Sequence, residues 1–301
     1  MTRERHELGY GRRLYLLAFD HRGSFEQLVG NAALVPGAKR LIWEGFLRAV
    51  SNGVPAEFAG ILVDAQYGAD VARDAKAAGF ALAMPAEKSD QAEFQFEYGE
   101  NFGQVIEEFD PDFTKVLVRY NPEGDGGLNA RQTERLRRLS EWLRDHRRRL
   151  LFELLVPAEP SQLDRVGGSI ERFDSEVRPG LMVEAVSQLQ AGGVEPDVWK
   201  IEGVDDADAC RAFVRHVRHD GREGVSCIVL GRAASDEKVG EWLRVAAGVD
   251  GYSGFAIGRS IFVDAVRAYA SAPESFDREA AVESVARNYR RFVELYEATR
   301  H

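Results

Sequence analysis

The sequence predicts a (β/α)8 TIM barrel, an α/β fold in one domain with a helical extension at its C-terminal end, and three observations carry that expectation. Eight short apolar runs recur along the 301 residues, with amphipathic helical stretches between them. The runs are apolar almost throughout rather than alternating, as strands buried on both faces of a parallel sheet are. A doubly wound sheet would carry a glycine-rich fingerprint after its first strand, and Asp20-His21-Arg22-Gly23-Ser24 stands there instead.

Strands are expected at residues 14–19, 60–63, 80–83, 114–118, 150–155, 198–201, 226–230 and 254–257. Helical patterns fill 40–51, 68–78, 102–109, 130–147, 181–191, 206–219 and 236–247. The first and last of these show Ala/Leu/Arg-rich faces at helical period with no internal proline. A further helical tail, 277–299, follows the eighth unit. No Pro/Gly-rich linker or low-complexity tract divides the chain, so one domain over 1–301 is expected.

Composition narrows the function. The formal charge of -10 argues against nucleic acid as a partner, because phosphate backbones select basic surfaces. It leaves room for an anionic small molecule in a local Arg/Lys pocket. Cys210 and Cys227 are too few for a disulfide framework and form no zinc-ligand spacing. The polar start Met1-Thr2-Arg3-Glu4-Arg5-His6 has no apolar segment behind it, and no apolar run reaches membrane-spanning length. A cytoplasmic protein with no membrane partner is expected; a homo-oligomer is left open.

In a barrel of this kind chemistry is built at the C-terminal ends of the strands, and the unusual polar residues of this chain fall there. Asp20, His21 and Arg22 follow the first strand and Asp64 the second. The third runs into Met84-Pro85-Ala86-Glu87-Lys88; the fourth holds Lys115 and ends at Arg119. The fifth places Glu153 inside Leu151-Phe152-Glu153-Leu154-Leu155, and the sixth carries Lys200 and Glu202 in Val198-Trp199-Lys200-Ile201-Glu202. The seventh and eighth end in Gly231-Arg232 and Gly258-Arg259.

Lys200 is the most informative of these. The chain has 39 lysines and arginines, of which only Lys39, Lys76, Lys88, Lys115, Lys200 and Lys238 are lysines. An amine between Trp199 and Ile201 therefore reads as a chosen amine. Strand alternation puts Val198, Lys200 and Glu202 on one face and Trp199 and Ile201 on the other. A desolvated lysine can attack carbonyls, and the plain alternative is a strand-end side chain that snorkels to water. A buried Glu153 is costly unless paired, and Lys115 and Lys200 on the flanking strands are its expected partners. Two lysines around one carboxyl group suit imine chemistry, in which the carboxyl moves protons during carbinolamine dehydration and carbon–carbon cleavage. A salt-bridge network closing the barrel is the structural alternative.

Gly231 and Gly258 allow backbone N–H groups close to an anion, with Arg232 and Arg259 adding bidentate contacts, so a phosphate is expected there. Asp20, His21, Arg22, Asp64, Lys88, Arg119 and Glu202 are candidates for holding the rest of a substrate. A second class of chemistry, a metal-dependent lyase, would use Asp20, Asp64, Glu153 and His21 around Mg²⁺ or Mn²⁺. A third is a sugar-phosphate-binding barrel without catalysis. No metal or cofactor is expected under the imine reading. Trp43, Trp142, Trp199 and Trp242 read as core, and Arg147-Arg148-Arg149 as a solvated face at the far end of the barrel. The acidic stretches 87–100 and 205–208 read as loops and helix starts.

Four motifs carry a resemblance: Leu17-Ala18-Phe19-Asp20-His21-Arg22, Arg178-Pro179-Gly180-Leu181, Pro196-Asp197-Val198-Trp199-Lys200-Ile201-Glu202 and Gly254-Phe255-Ala256-Ile257-Gly258-Arg259-Ser260-Ile261-Phe262. In these the chain resembles the aldolase-type domain fused behind a sugar kinase in bacterial inositol catabolism. That domain is similar in turn to tagatose-bisphosphate and sulfofructose-phosphate aldolases. The resemblance implies a class I (Schiff-base) aldolase acting on a phosphorylated ketose, with Lys200 as the imine lysine, Glu153 as the strand-five carboxylate and Lys115 as the second lysine. Glu87-Lys88 matches a Glu-Lys pair after strand three. The implied substrate is 5-dehydro-2-deoxygluconate 6-phosphate, cleaved to dihydroxyacetone phosphate and malonate semialdehyde. Leu155-Val156-Pro157-Ala158-Glu159 departs from the tagatose-type loop.

Overall fold

In the computed structural model, which describes residues 7–231 and 235–300, eight parallel strands close into a barrel in chain order. They are β1 (Leu14–Ala18), β2 (Ala59–Leu62), β3 (Ala81–Pro85), β4 (Phe113–Arg119), β5 (Arg149–Leu155), β6 (Val198–Glu202), β7 (Ser226–Leu230) and β8 (Tyr252–Ile257). Closure comes from β8 pairing back on β1, with Ala256 opposite Leu16. In β5 and β6, Glu153 lies opposite Lys200, and in β4 and β5, Leu117 lies opposite Glu153.

Helices cover the outside. α1 (Gly23–Val29) and α2 (Val35–Ser51) follow β1, α3 (Ala65–Ala77) follows β2, α4 (Phe102–Phe109) β3 and α5 (Gly126–Asp145) β4. After β5 come α6 (Pro160–Arg165) and the single turn α7 (Ile170–Arg172), which runs through a π-type turn into α8 (Arg178–Ala191). α9 (Ala207–Val217) follows β6, α10 (Asp236–Ala247) β7, and α11 (Arg259–Ser271) with α12 (Arg278–Thr299) completes the chain. None of these helices, among the described residues, is long and apolar enough to cross a membrane.

The TIM barrel is the expected fold, and every strand lies within a few residues of its expected position. The differences are at helix ends. α2 begins at Val35, ahead of the expected residue 40, because Pro36 sits in the first turn, where its missing N–H costs nothing. α1 and α6 are too short to show a period. Trp43, Trp199 and Trp242 are buried, but Trp142 is only partly so, stacking on His146 at 3.9 Å and set edge-on to Phe102 of α4 at 5.6 Å.

The two-residue strand period divides the core. Leu14, Leu16, Leu62, Phe113, Leu151, Val198, Ile228 and Ala256 fill the barrel interior. Tyr15, Leu17, Ile61, Phe152, Trp199, Val229 and Phe255 belong to the layer between barrel and helices. Every interior strand residue has its next interior position two residues on. Lys115 follows Phe113, Glu153 follows Leu151, Lys200 follows Val198, and Asp20 follows Ala18. The pleat therefore delivers all four ionisable groups to one level above an apolar plug.

α12 closes the outside of β1 and β8. Tyr289 donates its hydroxyl to the Tyr15 carbonyl at 2.6 Å and Tyr296 to that of Tyr252 at 2.9 Å. The helix comes near α2 at Gly45, where a Cβ would stand 2.5 Å from Val285 side-chain atoms. A side chain at that position would push the two helices apart.

Candidate active site

A cavity of about 430 Å³ opens at the C-terminal ends of the strands. Asp20, Glu87, Lys115, Glu153 and Lys200 line it together, brought there from five strands or strand ends. Gly231, Gly258 and Arg259 line it at the β7–β8 side, and Lys88 and Arg119 at the β3–β4 side. In a closed eight-strand barrel those sides face each other.

Lys115 is the electrostatic centre. Its ammonium lies 2.9 Å from Asp20 Oδ2, 2.6 Å from Glu87 Oε1 and 3.0 Å from Glu153 Oε2. Burial opposes a charge there, but the three surrounding carboxylates prevail and raise its proton affinity well above that of an ordinary lysine. Lys115 is a fixed cation. Among the described residues Lys200 has one carboxylate contact, Glu153 Oε2 at 2.8 Å. Glu153 thus bridges both ammonium groups through a single oxygen.

The three carboxyl groups differ. Burial would raise all of them. For Asp20 the attraction of Lys115, with His21 and Lys200 behind it, holds the carboxyl below its usual range. For Glu153 the Lys115–Lys200 pair does the same. For Glu87 burial wins, aided by the negative charge of Asp20, and its carboxyl lies above the usual range despite Lys115 and Arg22. His21 is lowered to about 4, first by burial and then by the cations Lys200, Arg259 and Lys115, against the pull of Asp20. Its ring is neutral near pH 7.

The other expected substrate contacts divide. His21 lines the cavity with a buried Nδ1 that has no hydrogen-bond partner among the described residues. Arg22 also reaches the cavity, but its guanidinium is committed: Nη1 donates to Glu97 at 2.9 Å and Nη2 to the Glu87 carbonyl at 2.8 Å. Arg22 so fastens the loop after β3, in which Glu87 and Phe96 pair antiparallel. Arg119 donates to the Gln91 carbonyl of that loop at 2.8 Å. Lys88 is exposed on the cavity wall. The other five lysines each have a carboxylate within reach, and Lys88 has none among the described residues.

Two candidates stand outside the cavity. Asp64 pairs with the buried ammonium of Lys39 and accepts the Tyr67 backbone N–H at 2.8 Å, capping α3. Glu202, the last residue of β6, lies 3.6 Å from the Arg178 guanidinium and accepts the Val156 N–H at 3.3 Å. Both are buried. Arg232 lies outside the described residues.

At the β8 end, Gly258 precedes α11 without any side-chain cap. A Cβ at Gly258 would be 2.0 Å from the Ala18 carbonyl oxygen, so only glycine fits between β1 and β8 there. The uncapped first N–H groups of α11 beside Arg259 make an anion-compatible wall. Among the described residues no group of three or more His, Cys, Asp or Glu side chains is arranged to hold a metal. Asp20, Glu87 and Glu153 instead converge on an ammonium.

By sequence alone Glu87 reads as part of an acidic loop and of a matched Glu-Lys pair, not of the site itself. Its signal was parity: it lies two residues beyond Pro85 on the inward register of β3. Lys39 was missed for a similar reason. It falls among Val35, Ala38, Leu41 and Ile42 on the apolar face of α2, where a charge would look like a helix edge.

Residues 2–300 match the family described as "Uncharacterized protein conserved in bacteria (DUF2090)". The chain belongs to that family. No curated protein matches this DUF2090 member. Its fold is similar to that of fructose-bisphosphate aldolase from Plasmodium falciparum, with a TM-score of 0.68 at 12% identity over 98% of this chain and 93% of that one. A Schiff-base-forming fructose-1,6-bisphosphate aldolase is similar at a TM-score of 0.58 and 14% identity, over 94% of each chain. The fructose-bisphosphate aldolase of Slackia heliotrinireducens gives 0.58 and 11% over 95% of this chain and 86% of that one. At such identities the DUF2090 chain shares a fold with these aldolases, and function has to be argued from the site.

Proposed function

We propose that this protein is a class I aldolase that cleaves a phosphorylated ketose through a Schiff base on Lys200. One observation carries the reading. Of the two buried lysines in the cavity, Lys115 is clamped by three carboxylates while Lys200 has a single carboxylate partner among the described residues. A cation so clamped is a poor nucleophile and a good electrostatic anchor. Lys200 is the amine left to react.

The phosphate is held by Gly231, Gly258, Arg259 and the start of α11, which brings the ketone carbon towards Lys200. The Lys200 nitrogen, once deprotonated, adds to the carbonyl, and loss of water from the carbinolamine leaves a protonated imine. Glu153, in contact with the Lys200 nitrogen, moves protons to and from that nitrogen and the departing oxygen. The iminium takes up the electron pair of the neighbouring carbon–carbon bond, the aldehyde leaves, and an enamine remains. Protonation of that enamine and hydrolysis of the imine return Lys200. Lys115 holds Asp20 ionised and keeps the three carboxyl groups in place throughout.

The motifs at the ends of β1, β6 and β8 support 5-dehydro-2-deoxygluconate 6-phosphate as substrate, with dihydroxyacetone phosphate and malonate semialdehyde as products. A metal-dependent route is less well supported, since Asp20 and Glu153 are taken up by Lys115 and Asp64 by Lys39. Borohydride reduction in the presence of dihydroxyacetone phosphate tests the proposal. A mass adduct that maps to Lys200 supports it; an unmodified Lys200 refutes it.

A further inference from the structure

Glu87 has a role that pairing with Lys115 does not explain. Its Oε1 meets the Lys115 ammonium at 2.6 Å, while its Oε2 is buried and has no hydrogen-bond partner among the described residues. Buried polar atoms are nearly always paired, so an orphaned one on a residue that lines a cavity marks a place where a partner arrives. The residue lines the cavity at the end of β3, on the side away from the anion-compatible wall at β7–β8. A ketose phosphate anchored at that wall, with its carbonyl at Lys200, extends its aldehyde-forming half towards Glu87. We infer that Glu87 Oε2 is the catalytic acid–base for the carbon–carbon bond. This inference rests on the aldolase reading and gives the cleavage proton to Glu87 in place of Glu153, the carboxyl to which the sequence alone points.

The step balances. In cleavage, Glu87 as carboxylate takes the proton of the substrate hydroxyl on the carbon that becomes the aldehyde. The O–H bond breaks and the C=O forms, the carbon–carbon electron pair moves into the iminium, and Glu87 is left protonated. In condensation the same proton passes from Glu87 to the aldehyde oxygen as the new carbon–carbon bond forms.

The three carboxyl groups on Lys115 divide this labour by their surroundings. Glu87 is faced by Lys115 from β4, Asp20 from the end of β1 and Arg22 from the β1–α1 turn, with Glu97 behind Arg22 and Lys88 next in chain. Burial and Asp20 outweigh the cations and raise its proton affinity, whereas Asp20 and Glu153 are held ionised. A group whose proton affinity lies nearer neutrality exchanges protons at working pH far better than one held ionised. Glu153, between two ammonium groups, is a poor choice for the cleavage proton and a good one for the Lys200 nitrogen it touches.

Glu87→Gln keeps the shape and removes the titration. Borohydride trapping of dihydroxyacetone phosphate on Lys200 is expected to stay within about twofold of the parent protein. Condensation of dihydroxyacetone phosphate with malonate semialdehyde or glyceraldehyde 3-phosphate is expected to fall on the order of 100-fold or more. Glu87→Asp should recover part of that rate with a displaced acid limb in its pH profile. Infrared titration of the unliganded protein needs no acceptor. It should show a protonated carboxyl band persisting above the ordinary carboxylate range, and that band should be missing in Glu87→Gln. Condensation at the parent rate, joint loss of trapping and condensation, or identical infrared bands would each overturn the role of Glu87 and leave the aldolase reading standing. Failure of the parent protein to trap dihydroxyacetone phosphate would overturn both.

Discussion

The ammonium groups of Lys200 and Lys115 converge on one atom, Glu153 Oε2, at 2.8 and 3.0 Å. The two lysines nonetheless differ in what holds them. Lys115 has Asp20 and Glu87 as well, and Lys200 has neither. Lys200→Met is therefore expected to remove borohydride-trapped adduct and aldol cleavage together, with circular dichroism and melting temperature little changed, because Glu153 keeps Lys115. Cleavage retained by Lys200→Met would exclude the imine mechanism.

Lys115→Met is the opposite case. It strands three buried carboxyl groups without their cation, a change that costs about 3–5 kcal/mol for a broken buried pair. For a chain of this size that corresponds to a fall in melting temperature on the order of 10 °C at neutral pH. The loss should shrink in acid, where protonation removes the uncompensated charge. Thermal melts at acidic and neutral pH check this, and an equal loss at both would show that Lys115 acts through packing instead.

Acid sensitivity has two sources with separate windows. His21 is lowered from 6.5 to about 4, so the unfolded chain binds its proton more readily than the folded one. Its contribution is complete above pH 6.5 and is lost as pH falls towards about 4, reaching up to about 3 kcal/mol. Asp20 and Glu153, held low by the lysines, add stability that is complete above their ordinary range and lost only in stronger acid. His21→Asn should flatten the first limb and leave the second in chemical denaturation measured across pH. Glu87 has the opposite sign. Its folded carboxyl is raised, so its stabilising contribution fades as pH rises, and Glu87→Gln should raise the melting temperature at neutral pH.

How much of this was legible follows from what each residue type reveals in one dimension. The barrel was readable because eight apolar runs on a regular beat admit few other folds. Lys115, Glu153 and Lys200 were readable because a charge inside an apolar strand is conspicuous, and strand order made them neighbours. Asp64 shows the limit of that signal. A polar residue at a strand end looks like a ligand contact, and only the structure reveals that Lys39, 25 residues back on α2, occupies it. Glu87 was hidden by its company, since Glu93, Glu97 and Glu100 share its loop and only its position on the inward register of β3 distinguishes it. The clamp on Lys115 needed three dimensions, because Asp20 is 95 residues away in the chain.

The Lys39–Asp64 pair yields the sharpest structural test. Lys39 is fully buried, and beyond Asp64 it donates to the carbonyls of Phe19 at 2.7 Å and His21 at 3.0 Å. One ammonium thus ties α2 and the end of β2 to the turn that carries Asp20 and His21. Burial lowers its proton affinity, and Asp64 opposes that shift. Lys39→Met leaves Asp64 buried without a counter-charge, and Asp64→Asn leaves the lysine in the same position. Each single change should cost about 3–5 kcal/mol in urea unfolding. The double variant Lys39→Met with Asp64→Leu should cost clearly less than the two singles added, because neither charge is then stranded. Trapping on Lys200 in whatever fraction remains folded should persist in Asp64→Asn, since Asp64 lies outside the cavity. Loss of trapping in Asp64→Asn at unchanged stability would instead return Asp64 to the substrate-binding role that its strand-end position suggested.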